Sequence, residues 1–183
     1  MQKLTKDFFL NDSVTNVAQE LLGKVLFTNI NGNISSGIIV ETEAYCGRDD
    51  KACHAYNGKI TKRNEVMYAQ GGIAYVYLCY GMHNMLNVVT NTAGHADAVL
   101  IRAVEPLEGL SYMLARKQTS KIERISSGPG NVCKAFGIEL IHNETDLIEA
   151  LSSKQLWGAG LDVTDPEPMA KINPLLSMET VCV

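Results

Sequence analysis

The densest run of chemically capable side chains is Ile38-Ile39-Val40-Glu41-Thr42-Glu43-Ala44-Tyr45. In an extended chain alternate residues share a face, which puts Glu41, Glu43 and Tyr45 together and sends Val40 and Thr42 to the other side. A carboxylate leaving the end of an apolar strand beside a tyrosine can act as a general base if a cleft adjoins it. The same glutamates can equally cap a sheet edge and face water. Tyrosine is the second concentration: Tyr45, Tyr56, Tyr68, Tyr75, Tyr77 and Tyr80 all fall between positions 45 and 80. In Tyr75-Val76-Tyr77-Leu78-Cys79-Tyr80, parity gives Tyr75 and Tyr77 one face and Tyr80 the other. Rings facing a pocket can sandwich a planar base, and a ring at a hairpin tip can wedge into a base stack; stacking contributes roughly 1–3 kcal/mol per base. Cross-strand core packing uses strand tyrosines too. Other chemistries find less. Cys46, Cys53 and His54 lack the paired spacing of a zinc site, and the Pro-Cys-x-x-Cys of a zinc deaminase is absent. There is no Gly-x-Ser-x-Gly and no Walker loop. Ser127-Gly128-Pro129-Gly130-Asn131 opens a helix whose free N–H groups can hold a phosphate, or is simply a tight helix entry.

The elements that must position these residues can be read from pattern. Asp12 or Ser13 caps a helix through about Leu22, stopped by Gly23, with Val14, Val17, Leu21 and Leu22 near helical spacing. Lys24–Ile30 and Ile34–Glu41 are β-branched runs joined by Asn31-Gly32-Asn33, a hairpin signal. Ile73–Tyr80 and Asn84–Asn91 form a second pair around Gly81. Ala98–Val104 reads as a further strand ended by Glu105-Pro106. Helical periodicity then takes over in Leu107–Gln118, in Pro129–Phe136 with Gly137 as its stop, and in Glu144–Leu151. Hairpins first and helices later, without β-α-β alternation, predict an α+β fold on a mostly antiparallel sheet.

The chain has 183 residues, 46% hydrophobic and 20% charged, the composition of one globular domain spanning 1–183. No apolar run approaches the ~18–20 residues of a membrane span, and Met1–Leu10 lacks the apolar stretch of a secretory signal. No membrane partner and a cytoplasmic location are expected, nucleoid-associated in a prokaryote. Five irregularly spaced cysteines fit reduced thiols. The net charge of −4 weighs against a polyanionic partner, but residues 139–183 alone carry −6 and residues 1–138 carry +2. The positive charge gathers in Arg48–Arg63 and Arg116–Lys134, each with five basic residues. Clustered charge of this kind either forms a face for a polyanion or is plain solvated surface.

These residues, in this order, resemble the alkyladenine (3-methyladenine, methylpurine) DNA glycosylase family. The resemblance rests on Gly37–Tyr45, Ala52-Cys53-His54, Thr61-Lys62-Arg63-Asn64, Tyr75–Met82 with Asn87, Val99–Gly109 and Ser127-Gly128-Pro129, colinear over about residues 5–138. It implies a single α+β domain with a curved antiparallel sheet, a protruding β-hairpin and flanking helices, similar to the C-terminal domain of methionyl-tRNA formyltransferase. It implies a monofunctional enzyme that flips a damaged purine out of duplex DNA and hydrolyses its N-glycosidic bond, the first step of base excision repair. The substrates implied are 3-methyladenine and 7-methylguanine, extending to hypoxanthine and ethenoadenine.

Residue by residue, Glu43 matches the glutamate that activates water and Arg102 the side chain that helps hold that water. Tyr45, His54 and Tyr77, with Ala52, match the walls around the flipped base, a slot sized for one purine. Asn87 matches the residue that disfavours the 2-amino group of normal guanine. Tyr80 and Met82 match the hairpin tip that fills the hole in the stack, and Thr61, Lys62 and Arg63 a DNA-contacting segment. No metal or cofactor is implied, and the expected form is a monomer on double-stranded DNA. The residue types suit the chemistry: a carboxylate deprotonates water and stabilises an oxocarbenium-like sugar, and tyrosine faces attract cationic bases. Beyond residue 138 neither an R-[IV]-G-type segment nor a W-R-F-type strand is found, so residues 158–183 read as an atypical or truncated tail. A lesion-binding protein of the same fold with impaired catalysis is the alternative for such a chain.

Overall fold

The computed structural model describes residues 2–140, Ser152, residues 159–160 and residues 181–182. The chain divides into two compact units, Met1–Thr28 with Ile34–Leu140, and Asn29–Asn33 with Ile141–Val183. In the second, Ala159–Gly160 pairs in parallel with Val181–Cys182. The helix expected at Glu144–Leu151 lies outside the described residues, as does most of the tail 158–183.

The principal sheet has five strands, β1 (Val25–Ile30), β2 (Asn33–Tyr45), β3 (Ala74–Cys79), β4 (His83–Thr90) and β5 (Asp97–Glu108), in the order β1-β2-β5-β4-β3. The pairs β2·β5, β4·β5 and β3·β4 are antiparallel. With helices α1 (Val14–Leu21), α2 (Leu110–Lys117) and α3 (Pro129–Phe136), this is the expected α+β class. Ser13 caps α1, its side chain accepting from the Asn16 amide at 3.3 Å. The helix buries Val14, Val17, Ala18 and Leu21, the i, i+3, i+4, i+7 stripe of an amphipathic helix.

Strand alternation divides the core in two. Ile39, Leu86, Val99 and Ile101 pack under the helices with Met113, Val132 and Phe136. Tyr75, Val89 and Ala98 pack on the other side with Cys53, Ala55 and Met67 of the long β2–β3 connection. Transfer of a fully buried aliphatic or aromatic side chain contributes about 1.5–3 kcal/mol, so the helix-covered side is the larger apolar mass.

Two expectations are corrected. Strand β5 does not stop at Glu105-Pro106 but continues to Glu108, with Pro106 opposite Gly37. Its pairing with β4 covers only Asp97–Leu100, so the missing Pro106 N–H interrupts no ladder on that side. Helix α2 consequently begins at Leu110, after Gly109 at φ +78°. A Cβ at Gly109 would lie 2.1 Å from the Ile34 carbonyl oxygen, so only glycine makes this strand-to-helix corner. The strict alternation assumed for Val40 also fails. The β2·β5 register shifts on both sides of Glu41, and Val40 bulges out, 51% exposed. Ile39 and Ala44 both pack in the helix-side core, and Thr42 Oγ1 donates to the Ala18 carbonyl at 2.8 Å. The bulge thus resets the phase, and from Glu41 onward the alternation holds.

Candidate active site

The bulge delivers Glu41 and Glu43 to the same guanidinium. Arg102 Nε donates to Glu41 Oε1 at 2.9 Å, and Nη1 donates to Glu43 Oε2 at 2.5 Å. The Glu41 hydrogen bond raises the Arg102 pKa, desolvation opposes it, and the charge and hydrogen bond of Glu43 add to the rise. All three side chains are partly exposed, so in the free protein the pairs add little stability. Their effect is orientation: one fork fixes two carboxylates. Tyr45, two residues on, keeps its proton far above neutral pH, first because burial disfavours the phenolate and then because the charge and hydrogen bond of Glu43 do.

Tyr45 opens onto a cleft lined also by Ala52, His54, Tyr75, Tyr77 and Asn87, with Cys53 and Met67 at its base. Tyr75 and Asn87 are directly opposed on β3 and β4, and Asn87 Nδ2 donates to the carbonyls of Tyr75 (3.2 Å) and Met85 (3.4 Å). The His54 ring stands edge-on to Tyr77, centroids 4.7 Å apart, and Tyr77 lies 5.4 Å from Tyr75. Burial, followed by the Arg63 charge, lowers the His54 pKa, so the ring is neutral at pH 7. The cleft opens to solvent and has a volume of about 30 Å³. The Arg63 guanidinium stands 5.1 Å above the Tyr77 ring. A hollow of about 200 Å³ elsewhere, bounded by Val40, Pro106, Ile122 and Arg124, has no carboxylate, histidine or tyrosine on its walls.

The β2–β3 connection has little regular structure, and Asn64 holds it. This side chain, 1% exposed, accepts from the Thr61 amide (2.7 Å) and hydroxyl (3.0 Å) and donates to the carbonyls of His54 and Lys59, both at 2.9 Å. One buried amide thus ties the exposed Thr61-Lys62-Arg63 turn to the backbone of a cleft wall. Arg63 leans over the cleft rather than standing free, donating to the Leu78 carbonyl at 3.3 Å. Tyr80 and Met82 stand apart from the cleft at the β3–β4 tip, 90% and 72% exposed. Tyr80 (φ +49°) and Gly81 (φ +69°) are both left-handed in the three-residue loop between the paired Cys79 and His83, where the Met82 N–H donates to the Cys79 carbonyl at 3.0 Å. A left-handed tyrosine costs about 1–2 kcal/mol, and full exposure of its ring returns nothing in the free protein.

Sequence reasoning thus placed Glu43, Arg102, Tyr45, Ala52, His54, Tyr77 and Asn87 in what proves to be one neighbourhood, with Tyr80, Met82, Thr61 and Lys62 on the surface. It missed Glu41 as the second holder of Arg102, Asn64 as the hub, and Cys53 and Met67 as cleft floor. Tyr75 was legible from parity alone. Met67 carried no signal. Among the described residues no group of three or more His, Cys, Asp or Glu side chains is placed to hold a metal ion, and no helix is long and apolar enough to cross a membrane.

Residues 7–173 match the family model of methylpurine-DNA glycosylase (MPG). The chain belongs to the methylpurine-DNA glycosylase family. The match runs well past residue 138, where the quoted motifs thin out. A relative from Chlamydia felis is 49% identical over 160 residues, covering 85% of this chain and 82% of its own. One from Clostridium perfringens is 46% identical over 163 residues (85% and 78%), and one from Natranaerobius thermophilus 44% over 157 (85% and 77%). All three bear the name "Putative 3-methyladenine DNA glycosylase". The protein is a DNA glycosylase by family, a DNA-repair hydrolase.

Proposed function

We propose that the protein is a monofunctional DNA glycosylase that hydrolyses the N-glycosidic bond of alkylated purines, 3-methyladenine and 7-methylguanine first, with hypoxanthine and ethenoadenine as further substrates. The supporting observation is the juncture of Glu43, gripped by Arg102 at 2.5 Å, with a ring-lined cleft through Tyr45. Tyr80 enters the stack from the hairpin tip as the lesion leaves it, which is easiest where pairing is already weak. The base passes between Tyr45 on one side and His54 and Tyr77 on the other, the rings parting to admit it. Glu43 removes a proton from water as the water attacks C1′, and its negative charge offsets the positive charge growing on the sugar. The C1′–N bond breaks, its electron pair goes to the purine, and an abasic site remains. An alkylated purine that is already cationic needs no protein acid to leave. Lys62 and Arg63, beside the turn held by Asn64, meet the phosphate backbone, and the protein acts as a monomer on duplex DNA.

The test is release of free 3-methyladenine from methylated duplex DNA by the purified protein, followed by chromatography. Release with no strand scission is expected. No release, with retained affinity for a duplex carrying a pyrrolidine abasic analogue, would instead mark a lesion-binding protein that has lost hydrolysis.

A further inference from the structure

We propose that Tyr75 is a positioning residue that fixes His54 as a hydrogen-bond donor, so that its Nε2–H, and not a bare ring nitrogen, meets an acceptor atom of the nucleotide in the cleft. The nucleotide rests on the function proposed above; the state of the ring does not.

Tyr75 is only 2% exposed, and its hydroxyl lies 2.9 Å from His54 Nδ1. A buried phenol proton needs an acceptor. The Arg63 guanidinium also interacts with the Tyr75 hydroxyl and opposes the burial that pushes this phenol up to about 12. A guanidinium has donors only, so it cannot take the proton. Among the described residues the acceptor provided is His54 Nδ1. A ring nitrogen that accepts carries no hydrogen, and a neutral imidazole then keeps its proton on Nε2. Protonating Nδ1 as well would set it against the phenol proton and place a second cation beside Arg63. The edge-on contact with Tyr77 (4.7 Å, 72°) holds the ring plane while Tyr75 sets which nitrogen bears the hydrogen. The sugar–phosphate of a nucleotide offers only acceptors in this reach, and a purine edge offers both kinds. A donor here therefore favours a phosphate or sugar oxygen, or an unalkylated ring nitrogen or carbonyl of the base.

Long-range ¹H–¹⁵N correlation NMR on the free protein at pH 7 reads the ring directly. The Nε2–H tautomer is expected; an Nδ1–H tautomer or an imidazolium overturns the proposal whether or not the protein releases bases. If the tautomer is as expected but no lesion is excised, it is the functional reading that fails. In Tyr75→Phe, which keeps the ring and loses the hydroxyl, both tautomers should appear and kcat/KM on a hypoxanthine duplex should fall on the order of tenfold. An unchanged tautomer overturns the role of Tyr75. His54→Gln, which can set an amide N–H near the Nε2 position, should keep on the order of tenfold more excision than His54→Leu; equal loss overturns the donor role. A methylphosphonate beside the lesion separates the sources: if it abolishes the difference between wild type and His54→Leu, the acceptor is phosphate, and if the difference persists, it is base or sugar.

Discussion

The two faces of this sheet alternate residue by residue along the same strands and are chemically unlike. On β5, Val99 and Ile101 go under the helices, into an apolar cluster closed by Met113, Val132 and Phe136. On the opposite face the strands present Glu43, Tyr45, Tyr75, Tyr77, Asn87 and Arg102, and what covers part of them is an irregular connection tied by one buried amide, Asn64. The helix side is sealed mainly by apolar burial, which tolerates no vacancy, with a few directional bonds beside it, such as Thr42 to the Ala18 carbonyl and Arg116 to Ser35. The loop side joins a smaller apolar cluster to the directional bonds of Asn64 and leaves a cleft. Putting the cohesive mass on one face allows the other to keep exposed charge, an open cleft and a left-handed tyrosine.

That contrast predicts a double dissociation, and its largest arm is chemical. Glu43→Gln should lower the excision rate of a neutral lesion such as hypoxanthine by about 10²–10⁴-fold, while Tm stays put, because the Glu43 carboxylate is 41% exposed. Lesion affinity, measured by gel shift, should be retained. Equal rates in the two proteins would remove Glu43 from the mechanism. Phe136→Ala, on the other face and fully buried, should cost about 3–5 kcal/mol in urea unfolding, with the specific activity of the remaining folded fraction unchanged. A kcat defect in that folded fraction would mean that the faces are coupled and the contrast is false.

The same contrast explains what could be read from sequence. The helix side obeys periodicity, so Val14, Val17 and Leu21 announced α1, and Pro129 and Gly137 bracketed α3 before any coordinates. The strands carrying the cleft were legible too, because two-residue alternation and turn glycines are local signals. The bulge at Val40 was not, since an extra residue is defined by a partner strand about sixty positions away, and with it Glu41 as holder of Arg102 escaped notice. Pro106 misled for a related reason: a proline ends a strand only where its N–H is wanted, and that depends on how far β4 extends. The edge-on contact of His54 with Tyr77 was not legible either, because these side chains meet only after the β2–β3 connection has folded back. The Glu43, Tyr45, His54 and Tyr77 set itself came from ordered motifs, not from any one physical pattern.

The hairpin tip tests whether function on the loop side extends beyond the cleft. Tyr80→Ser should weaken binding to a lesion duplex by about 1–3 kcal/mol, measured by fluorescence anisotropy at fixed salt. Its effect on Tm should be slight, since the ring is 90% exposed. Unchanged affinity would reassign Tyr80 to the turn alone.

Asn87 is where the two sides of the comparison meet in one residue, and its substitution should give the smallest and most informative effect. It borders the cleft, yet it is 2% exposed and its amide nitrogen serves two strand carbonyls, those of Tyr75 and Met85. Asn87→Ser removes both donations, so unfolding should show a loss of about 1–2 kcal/mol. If the side chain also opposes the 2-amino group of guanine, the same variant should release guanine from undamaged duplex above the wild-type level, although the fold has weakened. A purely structural Asn87 gives the stability loss without that gain. Activity rising as stability falls cannot come from loosening alone if release from a hypoxanthine duplex, which lacks a 2-amino group, does not rise in parallel. The ratio of guanine to hypoxanthine release thus isolates the specificity of one side chain from its service to the sheet.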